Sequence, residues 1–233
     1  MFRRRKDQQS AEAEETVETP EVEAAPEPTP ELARPEGPWD DADAPQDEVN
    51  RIDLGGLRVP VPPETEVRVD VSPEGEVVAA TLVRGTTAMQ VNAFAAPRRG
   101  GIWGEVRDEI AGALREGGGQ AQDGEGPYGV ELHAQVPAEG GFTPARFLGV
   151  DGPRWFLRAL ITGPGATDPA LAEPLLAALK DCVVVRGGEA MAVRDPLPLR
   201  LPKEVTAAAE ASADAEPEPL PPPERGPEIT EIR

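Results

Sequence analysis

Two residues could do covalent or acid–base chemistry, and each stands alone. His133 is the only histidine and Cys182 the only cysteine in 233 residues. A lone imidazole works as a base or metal ligand only beside other groups, and the sequence places no nucleophile next to it in YGVELHAQV. The plain reading is a strand histidine at the surface or under a helix. Cys182 falls where a helix hands over to the apolar run Val183-Val184-Val185. A buried thiol there behaves as a small hydrophobe, and Lys180 is the local cation that could activate it. One cysteine forms no intramolecular disulfide and no cysteine-rich zinc site, which fits a reducing compartment. No cofactor, metal or catalytic residue is expected.

Two sets of arginines could bind. Arg98 and Arg99, in Pro97-Arg98-Arg99-Gly100-Gly101, precede a helix, so two guanidinium groups and a positive helix end could meet an anion. Arg154 and Arg158 flank an apolar hairpin, read as two pleats apart on one strand face, and could present it to a partner. Trp39 is a lone aromatic in EGPWDDAD. It could dock onto a partner or back onto the domain. The glycine clusters lack the lysine and Ser/Thr spacing of a phosphate loop, and Gly117-Gly118-Gly119 follows a helix where such a loop precedes one.

Charge separates the elements that must position these residues from the rest. The formal net charge is −20; residues 1–49 carry 5 Lys+Arg against 15 Asp+Glu, residues 203–233 carry 3 against 8, and residues 50–202 carry 15 against 20. Three parts are therefore expected: an acidic Pro/Glu-rich N-terminal tail over 1–49, one domain over 50–202, and an acidic Pro-rich C-terminal tail over 203–233. Low hydrophobicity with high net charge cannot offset the entropy of ordering, so both tails are expected to be disordered. So acidic a chain repels phosphate backbones, which argues against general nucleic-acid binding. Arg3, Arg4, Arg5 and Lys6 form a basic head with no apolar segment behind it, unlike a secretory signal. No apolar run approaches a membrane span. A cytoplasmic protein is expected.

Within the domain the hydrophobic period changes twice. IDLGGLRVPVPP suits an edge strand with its prolines outward. TEVRVDVS, EVVAATLVR and TAMQVNAFA alternate with period two and join through short turns. Trp103, Val106, Ile110 and Leu114 then fall on one helical face, ended by the glycine triplet. Strands return in YGVELHAQV, with Val130, Leu132, Ala134 and Val136 inward, and in FTPARFLGVD and PRWFLRALITG, joined by a tight turn at Asp151-Gly152. Thr167-Asp168-Pro169 starts a second helix with Leu171, Leu175, Leu176 and Leu179 as its stripe, interrupted or kinked at Pro174. A last strand follows at Cys182–Arg186, and GGEAMAVRDPLPLRLP wraps the domain. Hairpins outnumber crossovers, so the fold class is α+β: an antiparallel sheet of about six to seven strands with two main helices packed on it.

The stretches IDLGGLRVPVP, GGIWGEVRDEIAGALREGGG, GPYGVELHAQVP, RFLGVDGPRWFLRALITG and LKDCVVVRGGEAMAVRDPLPLRLP resemble an actinobacterial domain family of unknown function. The resemblance implies a cytoplasmic protein with a variable acidic N-terminus, often encoded beside a dUTPase, and carries no catalytic residue with it. The strand–helix order is also similar to the Mog1/PsbP-like group, whose members mostly bind or help assemble partners; that likeness is of pattern alone. The function expected is a non-enzymatic protein-interaction or adaptor module with a protein partner. The alternative is a small anionic ligand or nucleotide-binding protein, possibly an enzyme, using Arg98 and Arg99.

Overall fold

Residues 37–99 and 101–202 are described in the computed structural model. The expectations for residues 1–36 and 203–233 lie outside them. In chain order the strands are β1 (Trp39–Asp40), β2 (Arg51–Asp53), β3 (Leu57–Pro60), β4 (Glu66–Val71), β5 (Val77–Arg84) and β6 (Thr87–Ala95). Helix α1 (Trp103–Glu116) follows, then β7 (Gln120–Gly126), β8 (Gly129–Ala138), β9 (Gly141–Asp151) and β10 (Trp155–Thr162), helix α2 (Pro169–Lys180) and β11 (Val183–Val184).

The α+β expectation holds, with one sheet more than the sequence suggested. Seven strands form an antiparallel sheet in the order β4-β5-β6-β10-β9-β8-β7. The densest apolar hairpin, β9–β10, lies at its middle. The remaining four make a small sheet, β1-β11-β3-β2, in which only the β1–β11 pair is parallel. So β3 is not an edge strand. Its Pro60 is tolerated because β11 pairs only with Leu57 and Arg58, leaving the proline beyond the end of that ladder.

Period-two alternation sends each strand of the large sheet to two faces. On one face Leu82, Met89, Val91, Leu148, Leu157, Ala159 and Ile161 meet Leu175 and Leu179 of α2 and Leu57, Val59 and Val184 of the small sheet. On the other, Ile102 and Trp103 at the start of α1 meet Phe156, with Phe94 and Phe147 packed around them. Trp103 and Phe94 stack on either side of Phe156, with ring centroids 5.9 and 6.1 Å away. Helix α1 lies over β7, β8 and β9. Toward the β4 edge this face is polar: Asp70 accepts from Thr81 Oγ1 at 2.7 Å and from Gln90 Nε2 at 3.0 Å.

The helices differ from expectation in detail. Helix α2 runs through Pro174 without interruption. Its core stripe is Ala172, Leu175, Ala178 and Leu179, while Leu171 is 47% exposed. The C-terminal segment does wrap the domain: the Arg194 and Leu197 amides donate to Ala95 and Ala93 carbonyls, and the Arg200 amide to Leu54.

Gly149 on β9 lies directly beneath the Trp103 indole, and a Cβ there would occupy the ring's place. Gly149→Ala should therefore lift α1 off the sheet and lower unfolding free energy by about 1–3 kcal/mol, the usual range for overpacking. Urea unfolding followed by tryptophan fluorescence measures it; an unchanged midpoint would refute the packing argument.

Candidate functional site

A cleft of about 720 Å³ lies between α2 and the outer strands β7, β8 and β9. That volume falls within the ~300–1,000 Å³ of ligand sites in general. One wall is a helical stripe. Asp168 caps α2 by accepting from the Ala170 amide at 2.9 Å, and Pro169 opens the first turn. At three- and four-residue spacing the helix then lays Ala170, Glu173, Leu176, Ala177 and Lys180 along the cleft. Opposite stands Tyr128 in the β7–β8 turn, whose hydroxyl donates to the Leu176 carbonyl at 3.3 Å. Burial pushes that hydroxyl well above its ordinary range, so it stays a protonated donor.

The floor is ionic. On β8, Glu131 and His133 alternate with Leu132 and so share the face toward α2. Arg146 of β9 pairs directly across from His133. Arg146 holds Glu131 in a two-point contact, Nε to Oε1 at 2.7 Å and a terminal nitrogen to Oε2 at 2.9 Å. His133 Nε2 lies 2.9 Å from Glu131 Oε1. The Glu131 and Arg146 side chains are 4% and 9% exposed and that of His133 is 49% exposed, so the pair is buried and the imidazole reaches the opening. Two glycines of β7 make the room. A Cβ at Gly124 would stand 2.6 Å from His133 Nε2, and one at Gly126 would overlap the Glu131 carboxylate.

Glu131, Arg146 and His133 thus satisfy one another within the floor. No serine, threonine or cysteine lines the cleft. Cys182 is fully buried in the core, and burial raises its thiol to about 12. Among the described residues no three His, Cys, Asp or Glu side chains gather as a metal site, and no helix is long and apolar enough to cross a membrane.

The arginines and the tryptophan singled out in the sequence lie elsewhere. Arg98 and Arg99 are exposed between β6 and α1. The helix end they precede is already occupied: Asp151 accepts from the Ile102 amide at 2.8 Å and the Trp103 amide at 3.4 Å. Arg154 is not on a strand with Arg158. Asp151 pairs with Phe156 and the Gly152 amide donates to the Trp155 carbonyl at 2.7 Å, so Arg154 lies in the 152–154 turn before β10, at φ 63°. Its guanidinium donates to the Gly187 carbonyl at 3.0 Å. Arg158 sits on the α1 face, 5.4 Å from the Phe94 ring centroid, with Nε buried and unbonded. Trp39 belongs to β1, and its amide donates to the Cys182 carbonyl at 2.9 Å.

The cleft's charged floor escaped the sequence reading because Arg146 and Glu131 are fifteen residues apart and meet only through register. The available signal was a glutamate two residues from the lone histidine inside a mostly apolar strand. Of the four residues assigned inward on β8, Leu132 and Ala134 are buried, Val136 is half-buried and Val130 is 42% exposed.

Residues 37–208 match the family described as protein of unknown function, DUF3710. The chain is a DUF3710 protein. No curated protein and no solved structure matches it. The DUF3710 match begins at Gly37, the first described residue, and takes in β1 as well as every residue of the cleft.

Two outcomes test this geometry. Removing one member of a buried ion pair strands the other, so Arg146→Met should cost about 3–5 kcal/mol of stability, while Arg146→Met with Glu131→Leu should recover most of it. Urea unfolding of the two variants decides, and equal losses would show that the pair is not buried together. Secondly, Cys182 should react with a thiol reagent at the rate of global unfolding. With its pKa raised from 9.0 to about 12, the neutral thiol contributes stability below pH 9 that is lost as pH rises toward 12. Fast labelling of the native protein at neutral pH would contradict this burial.

Proposed function

We propose that this domain is a non-enzymatic binding module, and that the cleft between α2 and the β7–β8 hairpin holds a protein partner. The observation that carries the reading is the state of the cleft's polar groups. Both Glu131 oxygens are engaged, by Arg146 and His133, beneath walls of Pro127, Tyr128, Ala170, Leu176 and Ala177. A surface of that kind offers shape and apolar area with a few fixed polar points, as anchoring pockets do. The anionic-ligand alternative asks for cations and amides free to meet phosphate. In the cleft Arg146 is held by Glu131, and before α1 the first amides are held by Asp151. A cytoplasmic, actinobacterial protein encoded beside a dUTPase, with a Mog1/PsbP-like pattern, remains what the sequence resemblance implies and fits a module that assembles with others.

Ala177 is exposed on the cleft wall, so Ala177→Trp should fill the opening without disturbing the core. Tagged full-length protein should recover a stoichiometric protein partner from native lysate, and the Ala177→Trp variant should not. In parallel, dUTP, dUMP and inorganic phosphate should leave the melting temperature unchanged, because a ligand in excess of its dissociation constant must raise it. Equal recovery by both proteins, or clear stabilisation by a nucleotide, would overturn the proposal.

A further inference from the structure

Arg158 carries a charge that the structure leaves unmatched. On β10 it lies across from Asn92 of β6 and Gly149 of β9, on the face toward α1. Its Nη2 donates to Asn92 Oδ1 at 3.4 Å, a long bond, and its guanidinium carbon stands 5.4 Å from the Phe94 ring centroid. Nε is buried without a partner. Nη1 donates to no described residue and, unlike Nε, is not sealed off by the protein. Among the described residues no carboxylate forms an ion pair with Arg158. Arg107 makes the contrast: its Nε is also buried without a hydrogen bond, but the Asp123 carboxylate lies 3.2 Å away. Burial pulls the Arg158 pKa down, yet an arginine keeps its proton at any ordinary pH, so the charge stays. Charge removed from water is normally paired. In a chain with 43 Asp+Glu against 23 Lys+Arg, a half-buried cation without a carboxylate stands out.

The space in front of Arg158 has a definite character. A pocket of about 160 Å³ opens there between α1 and strands β6 and β10. Phe94 and Val106, both half-buried, form its apolar walls above the buried Phe156 and Ile102. At the exposed rim Arg194 crosses from the C-terminal segment to α1. Its Nη1 donates to both Glu109 oxygens at 2.8 and 3.0 Å, and its Nη2 to Glu105 at 3.0 Å. The rim charges therefore answer one another, and Arg158 is the cation of the pocket that is not engaged. We infer that this pocket binds a small organic monocarboxylate. The carboxylate takes the terminal nitrogens of Arg158, and an apolar body of one ring or a short chain lies against Phe94 and Val106. The volume, below the ~300–1,000 Å³ of ligand sites in general, sets the size. One guanidinium balances one negative charge, and a rim of two carboxylates against one guanidinium disfavours a second, so a phosphate dianion is the poorer fit. The net −20 opposes any anion at long range, but exposed charge is screened beyond about 8 Å, which leaves the choice to groups in contact. The pocket lies on the opposite face of the large sheet from the cleft and does not depend on the binding reading above.

The Arg158 Nε–H reports on the site directly. Shielded from water, it should give a proton–nitrogen NMR signal at neutral pH in the ¹⁵N-labelled full-length protein, identified by its absence from Arg158→Gln. Phenylacetate, its neutral isostere phenylacetamide and inorganic phosphate are titrated. Phenylacetate should shift the signal saturably and raise the melting temperature over the same concentrations. Phenylacetamide should bind at least about ten-fold more weakly, since a neutral contact replaces a charge-assisted one, and phosphate should leave the signal in place. Arg158→Gln should lose the stabilisation by phenylacetate. Asn92→Asp puts a carboxylate where the side-chain amide now meets Nη2 and answers the charge from within. It should weaken phenylacetate at least about ten-fold, and a persisting Arg158 signal verifies that the site is folded. An Arg158 signal that is absent, or that phenylacetate does not move, would overturn the inference. So would equal affinity for the amide, tighter binding of phosphate, or undiminished affinity in Asn92→Asp. None of these outcomes bears on partner capture through the cleft, so the two readings fail separately.

Discussion

β10 must bury both of its faces at one end and only one at the other, and the layers of the protein follow from that. Trp155, Leu157, Ala159 and Ile161 are fully buried toward α2 and the small sheet. On the opposite face only Phe156 is buried; Arg158, Leu160 and Thr162 are half-buried. One face therefore needs a complete second layer and the other a partial one, which is what α2 with the small sheet and α1 respectively provide. The start of β10 also ties the parts together. Asp151, at the end of β9, takes the first amides of α1. Trp155 Nε1 donates to Asp40 at 2.8 Å and so draws β1 onto the domain. The Arg154 carbonyl accepts from the Ala96 amide and from Arg186.

Farther along the same sheet face the core becomes ionic. Val150 and Leu148 of β9 are apolar, and the next residue on that face is Arg146, opposite His133 on β8. A buried salt bridge is weak evidence of stabilisation, because desolvation consumes most of the Coulombic gain and well-packed apolar residues often do as well. The Glu131–Arg146 pair is therefore poorly explained as a device for holding the core. Its position at the floor of the cleft, with Gly124 and Gly126 leaving space for it, ties it to the cleft instead. A rigid, internally satisfied floor presents the same surface to each incoming group and requires little reordering on binding.

Elements whose burial produces a period were legible in the sequence. β4, β5, β6, β8, β9, β10 and both helices each show one. β7, with the sequence QAQDGEG, does not, because its glycines are there to leave room rather than to pack. β1 is two residues of an acidic segment, held by backbone pairing and by Asp40, neither of which leaves a hydrophobic pattern. In α2 the sequence stripe favoured Leu171 by size, whereas Leu171 is 47% exposed and Ala172 is the one fully buried. The cleft was hidden for a related reason. Its floor is a cross-strand contact between charged residues, and charge on a strand reads as an outward face unless register is known. Period supplies which face a residue takes, but not what it meets there.

The overall charge and the local charge act at different ranges. A net −20 creates a field that raises the encounter rate of cationic partners, but exposed charges are screened beyond about 8 Å at physiological salt. Charge far from the cleft therefore favours any basic molecule and cannot tell one from another. Discrimination has to come from groups within contact distance, and at the cleft the exposed wall of α2 carries Glu173 and Lys180 of opposite sign beside an apolar slot. A strongly basic but wholly polar segment would be attracted and would leave again quickly, because nothing on it fills the space between Tyr128 and Leu176. An apolar segment without cations would fit the slot but arrive without steering. In the proposed binding role the slot sets residence time and the field sets arrival.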